Sequence, residues 1–134
     1  MLNKDGLKAM IEGSVADRLY IGERNFSLFF TYYYLDYIKY EFADFHFDMF
    51  SDIDDLFSDK LREAVWAMYR DSAKTSIAKG LLMWIIAYKK RRYPNVDAFD
   101  KENAERILFD LVLEMQTNKR IIEDFGELFN ARRN

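Results

Sequence analysis

Cysteine is absent from this 134-residue chain, and histidine occurs once, as His46. The first absence excludes disulfides and thiolate metal sites, and a single imidazole excludes a multi-histidine metal centre. No apolar run approaches the roughly 18 residues that a membrane-spanning helix needs, and the N-terminus lacks the apolar core of a signal peptide. The sequence therefore predicts a soluble, cytoplasmic protein with no membrane partner.

A strong excess of positive charge is also missing, since the net charge is −3. Contact with nucleic acid would therefore need a local basic patch, such as the run from Lys89 to Arg92. The helix dipole also explains this run, because cations are favourable at the end of a helix. Apolar residues make up 50% of the chain and aromatic residues 17%, which is enough for the core of one domain.

Helical periodicity dominates the first third of the chain. Residues 4–12, closed by Gly13, and the aromatic stretch 26–38 each have apolar residues at helical spacing. The aromatic side chains are expected to pack in a core or against a partner. The segment between these helices, 14–25, contains Gly22 and is predicted to be a loop.

Ser51 is expected to cap a short helix whose first turn is acidic. The acidic residues are Asp52, Asp54 and Asp55. A metal site needs converging oxygens and usually a loop with glycine, so a solvated start of a helix is the favoured interpretation.

Two short apolar runs, 65–68 and 95–99, interrupt the helical pattern and are predicted to be strands. A helix follows each of them, one over 75–90 and one capped by Asp100. Alternating strands and helices imply a parallel α/β sheet. Two strands do not complete such a sheet, so the chain is predicted to form the incomplete first part of a larger one.

The helix after Asp100 is predicted to bury one stripe: Ala104, Ile107, Leu108, Leu111 and Met115. Asn118 is expected to end it, and a short helix interrupted near Gly126 should follow. The triplet 124–126 matches the Mg²⁺-binding triplet of protein kinases. Because no other kinase motif accompanies it, a turn with glycine after a helix is the favoured interpretation.

A loop of phosphate-binding type lies between the first predicted strand and its helix. The usual pattern is G-x-x-x-x-G-K-[ST], and here Met68 and Ala73 occupy the two glycine positions. In such loops the backbone N–H groups and the helix N-terminus attract phosphate oxygens. Lys74 would add a positive charge, and the Thr75 hydroxyl could reach a bound Mg²⁺.

Three stretches of the chain look like parts of one protein family. Residues 70–79 look like a variant phosphate loop in which an arginine precedes the lysine and the leading glycine is absent. Residues 93–105 look like the strand and helix that follow, and 113–126 like a helix ending in asparagine before an Asp-Phe-Gly turn. From about Phe45 onward the chain thus resembles the large terminase subunit of tailed bacteriophages, the motor ATPase that packages DNA.

The resemblance implies a helical, aromatic-rich segment over 1–44, followed by the N-terminal part of a P-loop ATPase domain over 45–134. It implies Mg-ATP binding, and in the full-length protein ATP hydrolysis coupled to DNA translocation, with a nuclease domain. The implied setting is the cytoplasm of an infected bacterial host cell. Double-stranded DNA, the small terminase subunit and the portal are the implied partners, and a homo-oligomer is a further expectation.

The resemblance also assigns roles within the nucleotide site. Arg70 would be catalytic beside the γ-phosphate, Lys74 would contact the β- and γ-phosphates, and Thr75 would ligate Mg²⁺. The remaining nucleotide-binding residues would be Asp71, Ser72, Ala73, Ser76 and, on the adenine side, His46. An ordinary, partly buried imidazole is the alternative interpretation of His46.

The catalytic Asp-Glu strand and the nuclease carboxylates of this family would lie beyond Asn134. The chain by itself is therefore expected not to hydrolyse ATP efficiently. Two other functions stay open. One is a helicase-like motor, which Ala73 disfavours because such motors generally keep the glycines of the loop. The other is a mostly helical, non-enzymatic protein-interaction module that binds no nucleotide, with Lys74 on its surface and an aromatic face that self-associates.

Overall fold

The computed structural model describes residues 2–38, 41–64, 74–91, 94 and 100–129. Within these residues the regular structure is helical and contains no strand. The prediction of an α/β fold with the first part of a P-loop parallel sheet is therefore wrong for the described part of the chain. The two predicted strands, over 65–68 and 95–99, lie outside the described residues.

The helices follow one another as α1 (Lys4–Glu12), α2 (Val15–Arg24), α3 (Phe26–Tyr33), α4 (Asp44–Phe57), α5 (Lys74–Ala87), α6 (Lys101–Thr117) and α7 (Lys119–Phe125), with a 3-10 turn at Leu35–Tyr37. The chain divides into two compact units, Met1–Ile77 and Ala78–Asn134. The boundary predicted after residue 44 rests on a family resemblance and stays a prediction.

A tight turn at Gly13 and Ser14 leads from α1 into α2. Ser14 Oγ accepts a hydrogen bond from the backbone N–H of Asp17 at 3.3 Å, and the Asp17 carboxylate accepts one from the N–H of Ser14 at 3.1 Å. This reciprocal pair is a capping box that starts α2. The prediction of a loop over 14–25 is therefore wrong, and Gly22 is a buried residue inside α2.

Helix α3 forms the centre of the first unit, since α1, α2 and α4 all pack against it. Phe26 and Phe29 of α3 are fully buried. The ring of Phe26 lies 5.8 Å from that of Phe50 in α4, between ring centroids. The prediction that the aromatic stripe packs in a core is confirmed, because these rings lie inside the unit and not on its surface.

The N-terminus of α3 is capped by a residue that is distant in sequence. Asn25 precedes the helix but makes no side-chain cap; instead, Asp54 Oδ1 of α4 accepts a hydrogen bond from the N–H of Phe26 at 3.1 Å. A carboxylate at this position also suits the positive end of the helix dipole. Ser51 lies inside α4, which begins at Asp44, so the predicted helix start at Ser51 is wrong.

In the second unit, polar side chains set the ends of α6 and α7. Asp100 caps α6 by accepting from the N–H of Asn103 at 2.8 Å. Asn118 ends α6 and caps α7, with Oδ1 accepting from the N–H of Ile121 at 3.1 Å. Gly126 follows α7 with a φ of 75°, which favours glycine. The predicted end of α6 at Asn118 is confirmed. The second helix was predicted over 119–130 with an interruption near Gly126, and it ends at Phe125, since 127–129 are not helical.

Two contacts connect the helices of the second unit. Lys79 Nζ of α5 donates to Asp110 Oδ2 of α6 at 2.6 Å. The Tyr88 ring, just past the end of α5, meets Phe125 of α7 edge-on with centroids 5.0 Å apart. The side of α6 that carries Asp110 thereby lies toward α5.

Candidate functional site

Only part of the predicted nucleotide site lies within the described residues. Four of its residues lie outside them: Arg70, Asp71, Ser72 and Ala73. The next three, Lys74, Thr75 and Ser76, lie in α5, and the side chains of Thr75 and Ser76 are exposed. Their predicted roles at phosphate and Mg²⁺ stay predictions.

His46 lies in the first turn of α4 and is nearly buried, with 9% of its surface exposed. Its Nδ1 accepts a hydrogen bond from the backbone N–H of Ala43 at 2.9 Å. The ring therefore helps to cap α4. A contact with adenine stays a prediction.

The acidic residues of α4 do not form a metal centre with the geometry described. Asp54 is engaged with the N-terminus of α3, and Asp52 and Asp55 lie within the helix and not in its first turn. Across the described ranges, no group of three or more His, Cys, Asp or Glu side chains is arranged to hold a metal ion. Asp54 therefore serves the start of α3, and Asp52 and Asp55 are partly exposed side chains of α4.

The basic run after α5 folds back on its own helix. Lys90 Nζ lies 4.1 Å from the centroid of the Trp84 ring, a cation–π contact. The N–H of Lys90 donates to the carbonyl of Ile85 at 2.9 Å, and that of Lys89 donates to Ile86 at 3.2 Å. With Lys89 at a φ of 54°, these bonds form the Schellman end of a helix.

Lys89 occupies a conformation that usually belongs to glycine. We expect Lys89→Gly to stabilise the chain by about 0.5–1 kcal/mol, because relief of left-handed strain exceeds the entropy that glycine adds to the unfolded chain. Urea unfolding of the two proteins measures this difference. Lys89→Ala is the matched control, since it removes the charge but keeps Cβ, and it should leave stability nearly unchanged. Equal stabilities of the Gly and Ala variants would contradict this account of the turn.

The exposed face of α6 carries large apolar side chains. Phe109 is 66% exposed and Leu113 is 45% exposed. Phe109 and Leu113 are four residues apart, so they lie one turn from each other on one side of the helix. We call these two residues the outer face of α6. Leu108 is 48% exposed but lies on the side of Leu111 and Met115.

Polar residues frame the outer face on the N-terminal half of α6. Glu102 pairs with Arg106, and Lys101 pairs with Glu105, each at 3.7 Å and four residues apart. These pairs are highly exposed, and exposed pairs contribute little to stability. An apolar patch with a charged rim is the arrangement seen in surfaces that contact other proteins.

Sequence reasoning missed this face because it followed only the stripe predicted to be buried, which contains neither Phe109 nor Leu113. Leu111 and Met115 of that stripe are buried as predicted, whereas Leu108 is not. The signal that could have found the face is the pair Phe109 and Leu113, which shares one side of the helix and is out of phase with Leu111 and Met115.

The chain matches no protein-family model, no curated protein and no solved structure. Among the described helices, none has both the length and the apolar composition to cross a bilayer.

Proposed function

We propose that this chain is a helical, non-enzymatic protein-interaction module whose contact surface is the outer face of α6. The observation that carries the proposal is the exposure of Phe109, at 66%, on the same side of the helix as Leu113, at 45%. Large exposed apolar groups on one surface are typical of sites that bind another protein. A helix with an apolar face is a common element of such recognition.

Physical chemistry supports this choice of surface. Burial of apolar area contributes about 25 cal/mol per Å², so a phenylalanine left in water is a source of binding free energy. The other face of α6 already contributes Leu111 and Met115 to the interior. The outer face is therefore apolar without serving the fold of its own helix.

A second candidate is Mg-ATP binding by a fragment of a DNA-packaging motor ATPase. One observation favours it: Lys74 and Thr75 lie in helix α5, and the lysine and hydroxyl residue of a phosphate loop lead into a helix. Resemblance to the large terminase subunit motivates this candidate, with double-stranded DNA, the small subunit and the portal as partners. In this interpretation Thr75 would ligate Mg²⁺ and Arg70 would act at the γ-phosphate.

Calorimetric titration with Mg-ATP separates the two candidates. For an interaction module we expect no heat of binding from the unmodified chain. Binding that is lost in Lys74→Ala and kept in Lys8→Ala would overturn the proposal in favour of the packaging ATPase. Lys8 is a suitable control because it is exposed on α1, far in sequence from the loop.

A further inference from the structure

We infer that the break between α6 and α7 is a hinge controlled by Asn118, and that residues 101–125 also form a second state, one continuous helix. The backbone is broken at a single torsion angle. The φ of Asn118 is −76°, close to the helical value of about −63°. Its ψ is 105°, whereas a helix has about −42°. Rotation of this one bond toward the helical value would join α6 to α7.

Two hydrogen bonds of a continuous helix are already present at the break. The N–H of Asn118 donates to the carbonyl of Glu114 at 2.9 Å, and the carbonyl of Asn118 accepts from the N–H of Ile122 at 3.0 Å. Both join residues that are four apart, as in an α-helix. The N–H of Ile121 instead donates to Asn118 Oδ1 at 3.1 Å. A continuous helix would offer it the carbonyl of Thr117, so a backbone bond would replace the side-chain bond.

The amide group of Asn118 holds the bent form. Its Oδ1 accepts the hydrogen bond from Ile121, and its Nδ2 donates to Glu114 Oε2 at 3.1 Å. The first bond takes the place of a helical bond, and the second orients the amide from the last turn of α6. Asparagine also has a lower helix propensity than alanine. Replacement of Asn118 by alanine would therefore remove both bonds and favour the continuous helix.

The apolar pattern of the sequence continues across the break. Six residues are separated alternately by three and four positions, the heptad spacing that keeps side chains on one side of a helix: Leu108, Leu111, Met115, Asn118, Ile122 and Phe125. We call these residues the heptad stripe. A single polar residue within such a stripe specifies one arrangement at a cost in stability, and Asn118 is the polar residue here. Phe109 and Leu113 lie outside the stripe, so the hinge stands apart from the proposed function.

The buried side of the chain shifts by one residue at the break. Leu111 and Met115 are buried in α6, and a continuous helix would place Ile122 on their side. In α7, however, Ile121 is fully buried and Ile122 is 40% exposed. Straightening would thus exchange one isoleucine for its neighbour. Because the two side chains are identical, both states place the same kind of side chain on this side, as expected of an element with two arrangements.

The distance between two spin labels tests the hinge, and the lack of native cysteine allows the labels to be placed by substitution. Glu105→Cys and Glu123→Cys carry them, because both side chains are exposed. In a continuous helix these positions lie about 27 Å apart, and the bent form brings them closer. We expect a shorter distance with Asn118 and a shift to about 27 Å with Asn118→Ala. Asn118→Asp is the matched control, because its carboxylate keeps an acceptor for the N–H of Ile121, and it should stay bent.

The accessibility of introduced thiols is a second measurement. With Asn118 present, the thiol of Ile121→Cys should react with a maleimide more slowly than that of Ile122→Cys, and Asn118→Ala should reverse this order. Circular dichroism should show at least as much helix in Asn118→Ala as in the unmodified chain, and a fall in helix content would contradict the continuous form. Label distances and thiol rates that are the same in Asn118→Ala and Asn118→Asp would overturn the hinge, because the packing of Ile121 would then fix the bend.

Discussion

Phe26→Ala should be among the most destabilising single substitutions in the first unit, with an expected loss of about 3–5 kcal/mol. Phe26 is fully buried. Its ring lies within 6.3 Å of the rings of Phe29, Phe30 and Phe50, between centroids. Truncation to alanine removes these contacts and leaves a cavity between α3 and α4, which the neighbouring rings can fill only in part.

The loss can be measured by urea unfolding of the purified chain. Ile11→Ala is the control, since its side chain is 60% exposed and the change should stay within about 0.5 kcal/mol. A loss below about 1 kcal/mol for Phe26→Ala would contradict the packing of α3 against α4. Truncation of a buried phenylalanine with three aromatic neighbours should lower the free energy of unfolding by more than that.

Most helices could be predicted from the sequence because their signals are local. The bounds of α1 follow from apolar spacing and Gly13, and those of α6 follow from Asp100 and Asn118, each of which accepts a backbone hydrogen bond three residues on. Helix α2 could not be predicted from composition, because glycine is typical of loops and Gly22 lies inside the helix. The capping box from Ser14 to Asp17 was also local and would have identified its start.

The predicted parallel sheet depended on two short apolar runs, which periodicity alone cannot distinguish from helix. Across the described residues the regular structure is helical and contains no strand, and the two runs themselves lie outside those residues. Long-range contacts could not be predicted at all. The carboxylate of Asp54 caps a helix that starts 28 residues earlier, and no local signal links those two positions.

Contacts between distant residues also decide which side chains of α6 are exposed. The sequence places Leu108 and Leu111 in one apolar stripe, but a stripe wider than the face that a helix buries leaves some members exposed. Which members remain exposed depends on the neighbouring helix. The pair between Lys79 and Asp110 fixes which side of α6 lies toward α5, and this contact joins residues on different helices.

Gly13→Ala is the second substitution with a large expected effect, a loss of about 1–3 kcal/mol. A Cβ on Gly13 would lie 2.5 Å from the carbonyl oxygen of Ala9. That oxygen belongs to the backbone of α1, so it cannot rotate away as a side chain can. Any movement of the turn also disturbs the 2.9 Å hydrogen bond from Arg18 to the carbonyl of Gly13.

The sign of the Gly13→Ala effect is what makes this measurement decisive. The backbone of Gly13, with φ −87° and ψ 179°, is an extended conformation that alanine adopts freely. If backbone conformation alone mattered, alanine would stabilise the chain by about 0.4–1 kcal/mol. The close approach of the Ala9 carbonyl should reverse that sign, so a stabilised variant would show that the α1–α2 turn is looser than described.

Gly6→Ala provides the comparison, because its Cβ would also be crowded, at 2.7 Å from Leu28 Cδ1. That atom is the end of a flexible side chain, which can turn aside. Alanine also favours a helix over glycine by about 1 kcal/mol, so Gly6→Ala should be close to neutral. A larger loss at Gly6 than at Gly13 would mean that the packing of α1 against α3, and not the turn into α2, limits the stability of this unit.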